Sequence, residues 1–352
     1  VGPLDVAAGV FTSNRFKAAP VLWSRQAVAD GRLRAVVLNS GGANACTGPG
    51  GFQDTHRTAE VTAGALGVGA AEVAVCSTGL IGVRLPMERL LAGVTKACAD
   101  LSRDGGSDAA RAIMTTDSVP KTVAIEADGF TVGGMAKGAG MLAPALATML
   151  VVVTTDAVVT ADLAAQSLRA AAAQTFDRLD SDGCMSTNDT VLLLASGASG
   201  HAPTPEAFTA ALTQACASLA AQLIADAEGA SKDIVITVRG ARDETDAVEV
   251  ARAIARSNLL KCAIHGEDPN WGRVLAAAGT ASATFEPDDV DVAMNGVWVC
   301  RGGAVGEDRE LVDLSDRRVH IEIDLGAGES TAEILTNDLT ASYVHENSAY
   351  AT

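Results

Sequence analysis

The chain is organised around the stretch Lys137-Gly138-Ala139-Gly140-Met141-Leu142-Ala143-Pro144-Ala145-Leu146-Ala147-Thr148-Met149-Leu150. A glycine-rich approach with one lysine leads through a proline turn into an apolar, β-branched run that predicts a central strand over 148–155. A threonine hydroxyl is a weak nucleophile unless a base is adjacent, and an N-terminal threonine can use its own α-amine. The small Ala147 leaves its carbonyl open to attack by Thr148. The spacing alone, however, favours an ordinary strand threonine at this position.

Apolar runs on both sides of this stretch predict a mixture of strands and helices. Two strands, over 35–38 and 72–76, each end in a turn, Asn39-Ser40-Gly41-Gly42-Ala43-Asn44 and Ser77-Thr78-Gly79. Asp128-Gly129 predicts a hairpin between strands over 121–125 and 130–134. Helices are predicted over 86–101 with Pro86 as the first residue, over 161–178, from Thr204 onward and over 246–257. Further strands are predicted over 190–194 and 233–238, followed by a β-meander over 290–294, 297–300, 319–323 and 332–335. This irregular alternation favours mixed α/β layers over a doubly wound parallel sheet.

Composition and charge exclude several classes of function. The 352 residues carry a net charge of −17, which is unfavourable for binding a phosphate backbone or an anionic membrane surface. The length predicts about two domains. Hydrophobic residues make up 48% of the chain and aromatic residues only 3%, so the core is expected to consist of Ala, Val, Leu and Ile.

The ends of the chain and its cysteines suggest a cytoplasmic protein. The chain opens on Val1-Gly2-Pro3 without a basic and apolar leader or an initiator Met, so we expect a processed or truncated product. The uncharged stretch over 138–155 contains glycines, a proline and threonines, which favours a soluble interior segment over a membrane span. Seven scattered cysteines without a CxxC pair fit a reducing compartment.

The common motifs of catalysis are missing. There is no GxxxxGK[ST] loop, no GxGxxG after a strand and no GxSxG elbow. His345-Glu346 lacks the second histidine of a zincin, and His265-Gly266-Glu267 lacks the P-C-x-x-C of a zinc deaminase. We therefore expect no metal site and no histidine-based triad.

The central stretch and seven further blocks resemble the self-cleaving ornithine acetyltransferases, also called glutamate N-acetyltransferases, of arginine biosynthesis. The blocks lie in the family's order along nearly the whole chain: 39–48, 76–82, Met114-Thr-Thr-Asp117, Ser186-Thr-Asn-Asp-Thr190, Asp226-Ala-Glu-Gly229, Asp268-Pro-Asn-Trp-Gly-Arg273 and 346–352. Many members have Pro-Asn-Met-Ala-Thr where this chain has Pro-Ala-Leu-Ala-Thr, but the cleavage pair is kept. Family members also carry a few tens of residues before the point where this chain begins.

The resemblance assigns the reacting groups. Thr148 would be the nucleophile, with its freed α-amine as the base. Thr78 and Gly79 would form the oxyanion hole, which suits a glycine that allows a close backbone approach. Lys137 would bind substrate through a carboxylate or a developing negative charge. Thr115 would also bind substrate, although strand alternation leaves Thr116 as the alternative.

The resemblance also assigns amino-acid binding to residues further along the chain. Glu228 would suit a substrate ammonium group, and Asn347 and Thr352 would bind substrate from the C-terminus. We expect the cysteines inside the matching blocks to be small buried residues without a catalytic role: Cys46, Cys76 and Cys184.

The resulting hypothesis is an acyltransferase that moves acetyl from N-acetyl-L-ornithine to L-glutamate through an acetyl-Thr148 ester. The resemblance implies mixed sheets sandwiched with flanking helices, an α fragment over 1–147, a β fragment over 148–352 that includes a C-terminal β-rich region, and an α2β2 assembly. No cofactor or metal is needed, and acetyl-CoA stays open as a second acetyl donor. Two alternatives stay open: a threonine-nucleophile aminopeptidase or amidohydrolase of the same fold, and a paralogue with another acyl acceptor.

Overall fold

The computed structural model describes residues 2–143 and 149–349. Within these residues the chain forms two compact units, one made of residues 2–177 and 184–226 and the other of residues 178–183 and 227–349. The predicted cleavage position falls inside the first of them. The two compact units therefore do not coincide with the two predicted fragments, and the boundary between those fragments stays a prediction.

The first unit contains a five-stranded mixed sheet in the order β1-β7-β6-β5-β4 and a separate parallel pair of β2 and β3. Its strands are β1 (Val6–Phe11), β2 (Ala35–Asn39), β3 (Val73–Ser77), β4 (Lys121–Ala127), β5 (Phe130–Lys137), β6 (Leu150–Thr155) and β7 (Thr190–Ala195). Its helices are α1 (Ala19–Ala27), α2 (Gly48–Leu66), α3 (Met87–Ala99), α4 (Gly106–Ala112), α5 (Ala161–Gln174) and α6 (Pro205–Ala225).

Strand β6 lies at the centre of the larger sheet. It pairs antiparallel with β5, where Lys137 faces Leu150, and parallel with β7, where Thr190 faces Leu150. Its residues from Leu150 to Val153 are buried, as expected for a strand covered on both faces. The register thus brings the end of β5 and the start of β7 to the point where β6 begins.

Helices α5 and α6 pack on the larger sheet and on each other. Each begins at a threonine whose hydroxyl accepts a backbone hydrogen bond, Thr160 from Leu163 and Thr204 from Ala207. Helix α6 is long and apolar enough to cross a membrane by length and composition. Because it packs against β4, β5 and α5, it is a core helix of this unit.

The second unit contains a six-stranded mixed sheet in the order β11-β10-β9-β12-β8-β13. The strands are β8 (Asp233–Ala241), β9 (Asp291–Met294), β10 (Val297–Arg301), β11 (Ala304–Val305), β12 (Arg318–Asp324) and β13 (Ser330–Asn337). The helices are α7 (Glu244–Ala255), α8 (Asn258–His265), α9 (Trp271–Ala278) and α10 (Ala341–Ala349). Apolar residues of β8, β12, β13 and α7 form one buried cluster.

The mixed α/β prediction is confirmed, and the hairpin at Asp128-Gly129 joins β4 to β5 as expected. The β-meander is wrong in its connections, because β8 lies between β12 and β13 and pairs parallel with β12. Helix boundaries also differ from expectation: α7 covers Glu244–Ala255 where 246–257 was predicted, and α3 ends at Ala99 where 101 was predicted. Pro86 precedes α3 as its N-cap, and α5 ends at Gln174, before a short 3₁₀ turn.

Candidate active site

Lys137 is the last residue of β5, and its side chain is only 2% exposed. Its ammonium group donates to the hydroxyl of Thr115 at 2.7 Å and to that of Thr78 at 3.4 Å. It also lies 3.7 Å from a carboxylate oxygen of Asp117. Three residues that the sequence singled out, Lys137, Thr78 and Thr115, are therefore brought together within the first unit.

Asp117 is fully buried and links this lysine to a second one. Its carboxylate accepts from Lys121 Nζ at 2.7 Å and from the backbone N–H of Gly138 at 2.6 Å. Burial acts to raise the pKa of Asp117, but the charge of Lys137 and the hydrogen bonds from Lys121 and Gly138 outweigh it and hold the pKa below its ordinary value. Asp117 is therefore an anion that supports both lysines.

Lys121 is held from a second side. Its ammonium group donates to Asp226 at 2.6 Å, and the lysine side chain is fully buried. Two carboxylates thus compensate the two ammonium groups in this network, which lets the first unit bury four charges.

Thr78 and Gly79 form a turn directly after β3. Gly79 has φ +124°, and a Cβ atom there would lie 2.5 Å from the carbonyl carbon of Gly41. Only glycine fits at this point, because both the backbone angle and the contact with the Gly41-Gly42 turn exclude a side chain. The backbone N–H of Thr78 donates to Asn39 O at 3.1 Å. Since Lys137 donates to the Thr78 hydroxyl, that hydroxyl keeps its own hydrogen for another acceptor.

Thr115 and Thr116 lie in a bend after α4 and not in a strand, so the alternation assumed from the sequence does not apply. The contact with Lys137 is made by Thr115. The backbone N–H of Thr115 also donates to Asp117 at 3.1 Å, which fixes the bend against the buried carboxylate.

Glu228 and Asn347 lie in the second unit and contact each other there. The side-chain amide of Asn347 donates to the Glu228 carboxylate at 3.0 Å and to Tyr343 O at 3.0 Å. Gly229 has φ +62° and lies against the backbone of Tyr343, where a Cβ would be 2.3 Å from its nitrogen. The structure therefore pairs these two predicted residues, carried by the loop after α6 and by α10.

Three predicted residues, Ala147, Thr148 and Thr352, lie outside the described residues. The chain that follows Thr148 is described. The backbone of Met149 donates to Asp189 Oδ1 at 3.2 Å and accepts from the N–H of Thr190 at 3.1 Å. The carbonyl of Met149 thus takes part in the pairing of β6 with β7 at the point where β6 begins.

Two expectations about side chains are wrong. Cys46 and Cys184 are exposed, while Cys76 is buried as expected. Both exposed cysteines lie in loops, where the surrounding sequence motif is a poor indicator of burial. Burial raises the pKa of the Cys76 thiol to about 12, so its sulfur stays protonated and unreactive.

Sequence reasoning missed the supporting groups of the site: Asp117, Lys121, Asn188, Asp189 and Asp226. Four of them lie in the quoted blocks and Lys121 lies four residues after one, but the sequence alone does not distinguish them from solvated polar residues. Of the five, Asp117 is the one that the buried ammonium of Lys137 requires, since a buried cation needs an anion near it.

Comparisons with known proteins agree with the resemblance. The family model described as "ArgJ family" matches residues 3–352. The arginine biosynthesis bifunctional protein ArgJ of Streptomyces coelicolor is 67% identical over 350 residues, covering 99% of this chain and 91% of that protein. The corresponding Mycobacterium tuberculosis protein is 58% identical over 358 residues, covering 99% of this chain and 89% of that protein.

A solved structure supports the fold. The crystal structure of arginine biosynthesis bifunctional protein argJ from Bacillus halodurans is 34% identical, has a TM-score of 0.54, and covers 56% of this chain and 97% of its own. The predicted family and the expectation of an arginine-biosynthesis enzyme are therefore confirmed. From its sequence over nearly its full length, this chain belongs to the ArgJ family.

Proposed function

We propose that this chain transfers acetyl from N-acetylornithine to glutamate through an ester on Thr148. The observation that carries the proposal is the buried ammonium of Lys137 beside the Thr78 and Thr115 hydroxyls, at the end of the sheet where β6 begins. Such a group stabilises negative charge in a place from which water is largely excluded.

Self-cleavage would come first. The Thr148 hydroxyl oxygen attacks the Ala147 carbonyl carbon, the peptide C–N bond breaks, and an ester forms while the nitrogen leaves as a free amine. Water then attacks that ester, which restores the hydroxyl and leaves a carboxylate on Ala147. Thr148 thereby gains an α-amine that can act as its base.

Acetyl transfer would follow in two half-reactions. The Thr148 hydroxyl, deprotonated by its α-amine, attacks the acetyl carbonyl, and the ornithine nitrogen leaves with the proton returned by that amine. The α-amine of glutamate then attacks the ester carbonyl, and the Thr148 oxygen leaves with the proton that the Thr148 α-amine takes from the glutamate nitrogen. Each tetrahedral intermediate places its oxyanion near the Thr78 hydroxyl and the Gly79 backbone, where one donor is worth about 3 kcal/mol.

The amino-acid parts of the substrates need separate ligands. We assign Lys137 and Thr115 to substrate binding, and Glu228, Asn347 and Thr352 to the amino-acid groups. The hydrogen bond between Glu228 and Asn347 supports treating these two as one binding element. The carboxylate supplies a charge opposite to that of an ammonium group.

Mass spectrometry of the purified enzyme tests the function directly. After incubation with N-acetylornithine alone, the fragment that begins at Thr148 should gain about 42 Da, the mass of an acetyl ester. Addition of glutamate should remove this mass and yield N-acetylglutamate. Release of free acetate with or without glutamate would favour the hydrolase alternative, and discharge to another amine would favour a paralogue with a different acceptor.

Three further assignments belong to this proposal. An assay with acetyl-CoA and glutamate, in the absence of acetylornithine, tests whether acetyl-CoA is a second acetyl donor. We place the cleaved enzyme in the cytoplasm, supported by seven cysteines, all among the described residues, that form no disulfide bond. We also propose an α2β2 assembly, which sedimentation of the cleaved protein tests by mass.

A further inference from the structure

Two consecutive buried residues at the start of β7, Asn188 and Asp189, have no part in the chemistry described so far. Their side chains are 4% and 0% exposed. The side chain of each contacts backbone groups next to a reacting segment. For Asn188 this segment is the Thr78-Gly79 turn, and for Asp189 it is the chain that carries Thr148.

Asn188 holds the segment that forms the predicted oxyanion hole. Its side-chain amide donates to Ala43 O at 2.6 Å and to Ser77 O at 2.8 Å. Ser77 precedes Thr78, and Ala43 follows the glycine pair on which Gly79 rests. One amide group therefore ties together the two backbone segments that shape this turn.

Asp189 holds the segment that follows the predicted nucleophile. Its Oδ1 atom accepts from the backbone N–H of Met149, the residue directly after Thr148, at 3.2 Å. Because Thr190 N–H donates to the carbonyl of Met149, the backbone of this one residue is held from both sides.

The surroundings of Asp189 favour the protonated, neutral form of its carboxyl group. Its Oδ2 atom is buried and has no hydrogen-bond partner among the described residues. Burial raises the pKa of Asp189 well above its ordinary value, although the hydrogen bond from Met149, the side chains of Ser186 and Thr12 and the charge of Lys137 act in the opposite direction. An asparagine of the same shape should therefore replace it with little change.

We propose that Asn188 and Asp189 are positioning residues that set the separation between the Thr78-Gly79 turn and the chain that carries Thr148. This inference rests on the proposed function, because it takes Thr148 as the nucleophile. Since the two residues are neighbours, the separation is set by one short segment of rigid backbone. Reacting groups must be held within a fraction of an ångström, and a displacement of about 1 Å can cost about a hundredfold in rate.

The test compares Asp189→Ala, Asp189→Asn and Asn188→Ala with wild type. Self-cleavage is followed by denaturing mass spectrometry, turnover is measured on cleaved enzyme, and ornithine affinity is measured by calorimetry. We expect both alanine variants to lose about tenfold to a hundredfold in cleavage rate and kcat. Ornithine affinity should stay near the wild-type value, and Asp189→Asn should restore most of both activities.

Matched controls come from the second unit. Asp180 is also a fully buried aspartate with a raised pKa, caused mainly by burial, and with an oxygen that has no partner among the described residues. Asn337 is a buried asparagine whose amide donates to a backbone carbonyl, that of Lys232, at 3.2 Å. Asp180→Ala and Asn337→Ala should lower the unfolding temperature without lowering kcat.

Two results would overturn the inference. Alanine variants that unfold more easily but cleave and turn over like wild type would show a purely structural role. Failure of Asp189→Asn to recover activity would show that the bond to Met149 is not what matters. If the alanine variants do not fold, Asp189→Leu and Asn188→Asp remove the same acceptor and donors while still filling the buried space. A wild type without an acetyl-Thr148 fragment would instead refute the proposed function itself.

Discussion

The ammonium group of Lys137 lies 2.7 Å from the hydroxyl oxygen of Thr115, across a sequence separation of 22 residues. This contact joins the end of β5 to the bend after α4 and selects Thr115 over Thr116 as the residue that faces the lysine. It also removes the possibility that Lys137 is a solvated surface lysine. The cation is part of the interior of the first unit.

Substitution of Thr148 should affect cleavage and acetyl transfer together. Thr148→Ala should abolish both, because no hydroxyl remains, whereas Thr148→Ser keeps a hydroxyl on the same carbon and should retain some of each. The loss of one methyl group in the serine variant should cost on the order of 1 kcal/mol of stability if it is buried. Denaturing mass spectrometry and the acetylornithine assay on the same samples check this. An active Thr148→Ala enzyme would indicate direct transfer in a ternary complex.

Lys137→Ala should lower both activity and stability. The ammonium group of Lys137 is buried and contacts Asp117 and Thr115, so its removal should weaken the fold as well as the site. Because Lys121 continues to compensate Asp117, we expect a stability loss of about 1–3 kcal/mol and not complete unfolding. Turnover of the cleaved fraction should fall about a hundredfold.

The control for this variant is Lys96→Ala, at an exposed position of α3. Urea denaturation and steady-state kinetics should show both changes for Lys137 and neither for Lys96. Full activity of a folded Lys137→Ala enzyme would remove the lysine from the mechanism.

Gly79→Ala should inactivate the enzyme, whereas Gly82→Ala should not. Both glycines have positive φ angles, so both substitutions strain the backbone, by about 1–3 kcal/mol each. Only at position 79 would the added carbon collide with the backbone of Gly41 and Gly42, since position 82 has no atom within 4 Å. The difference in kcat between the two variants therefore reports how much activity depends on the geometry of the Thr78-Gly79 turn. Equal losses of kcat in the two variants would contradict a role for this turn in catalysis.

Lys261 should make the stability of the second unit depend on pH. Burial lowers the pKa of Lys261 to about 8, against the charges of Asp180 and Asp182, while its ordinary value is 10.5. Between these two values the unfolded chain binds more protons than the folded chain, so this residue makes the free energy of unfolding rise with pH. The full effect is on the order of 3 kcal/mol.

Two buried cysteine thiols change the free energy of unfolding in the opposite direction, because burial raises the pKa values of Cys76 and Cys216 to about 12. The measurement is therefore the difference between wild type and Lys261→Met, from urea denaturation at pH 7 and pH 10. We expect the stability of wild type relative to the variant to increase at the higher pH. A difference that does not change with pH would show that Lys261 keeps its ordinary pKa.

Local sequence patterns predicted the positions of the strands better than they predicted which strands pair with one another. The apolar runs that became β2, β3 and β7 were located to within about two residues, because alternation and turn residues act over short distances. The insertion of β8 between β12 and β13 depends on contacts across a large sequence separation, which no local pattern contains. Helix α2 was missed because its glycines, proline and threonines are weak helix formers. Helix α1 was missed because its nine residues are too few for a clear periodic pattern.

The candidate site, like the fold, was only partly predictable from the sequence. The family blocks located Lys137, Thr78 and Thr115, and the structure brings these three together. Asp117 and Asp189 could not be recognised from sequence, since an aspartate becomes important here only through its burial and through the backbone groups that it meets. The resemblance supplied the reacting residues, while coordinates were needed to find the groups that hold them.

The central position of β6 bears on how a cleaved enzyme would denature. A cut before Thr148 would leave β6 and β7 on one polypeptide, inserted between β1 and β5, which belong to the other. The two polypeptides could not separate without opening the sheet along both edges of this strand pair. Unfolding would then release two molecules, so its midpoint would rise with protein concentration, and renaturation would require a second-order encounter that the uncut precursor never needs.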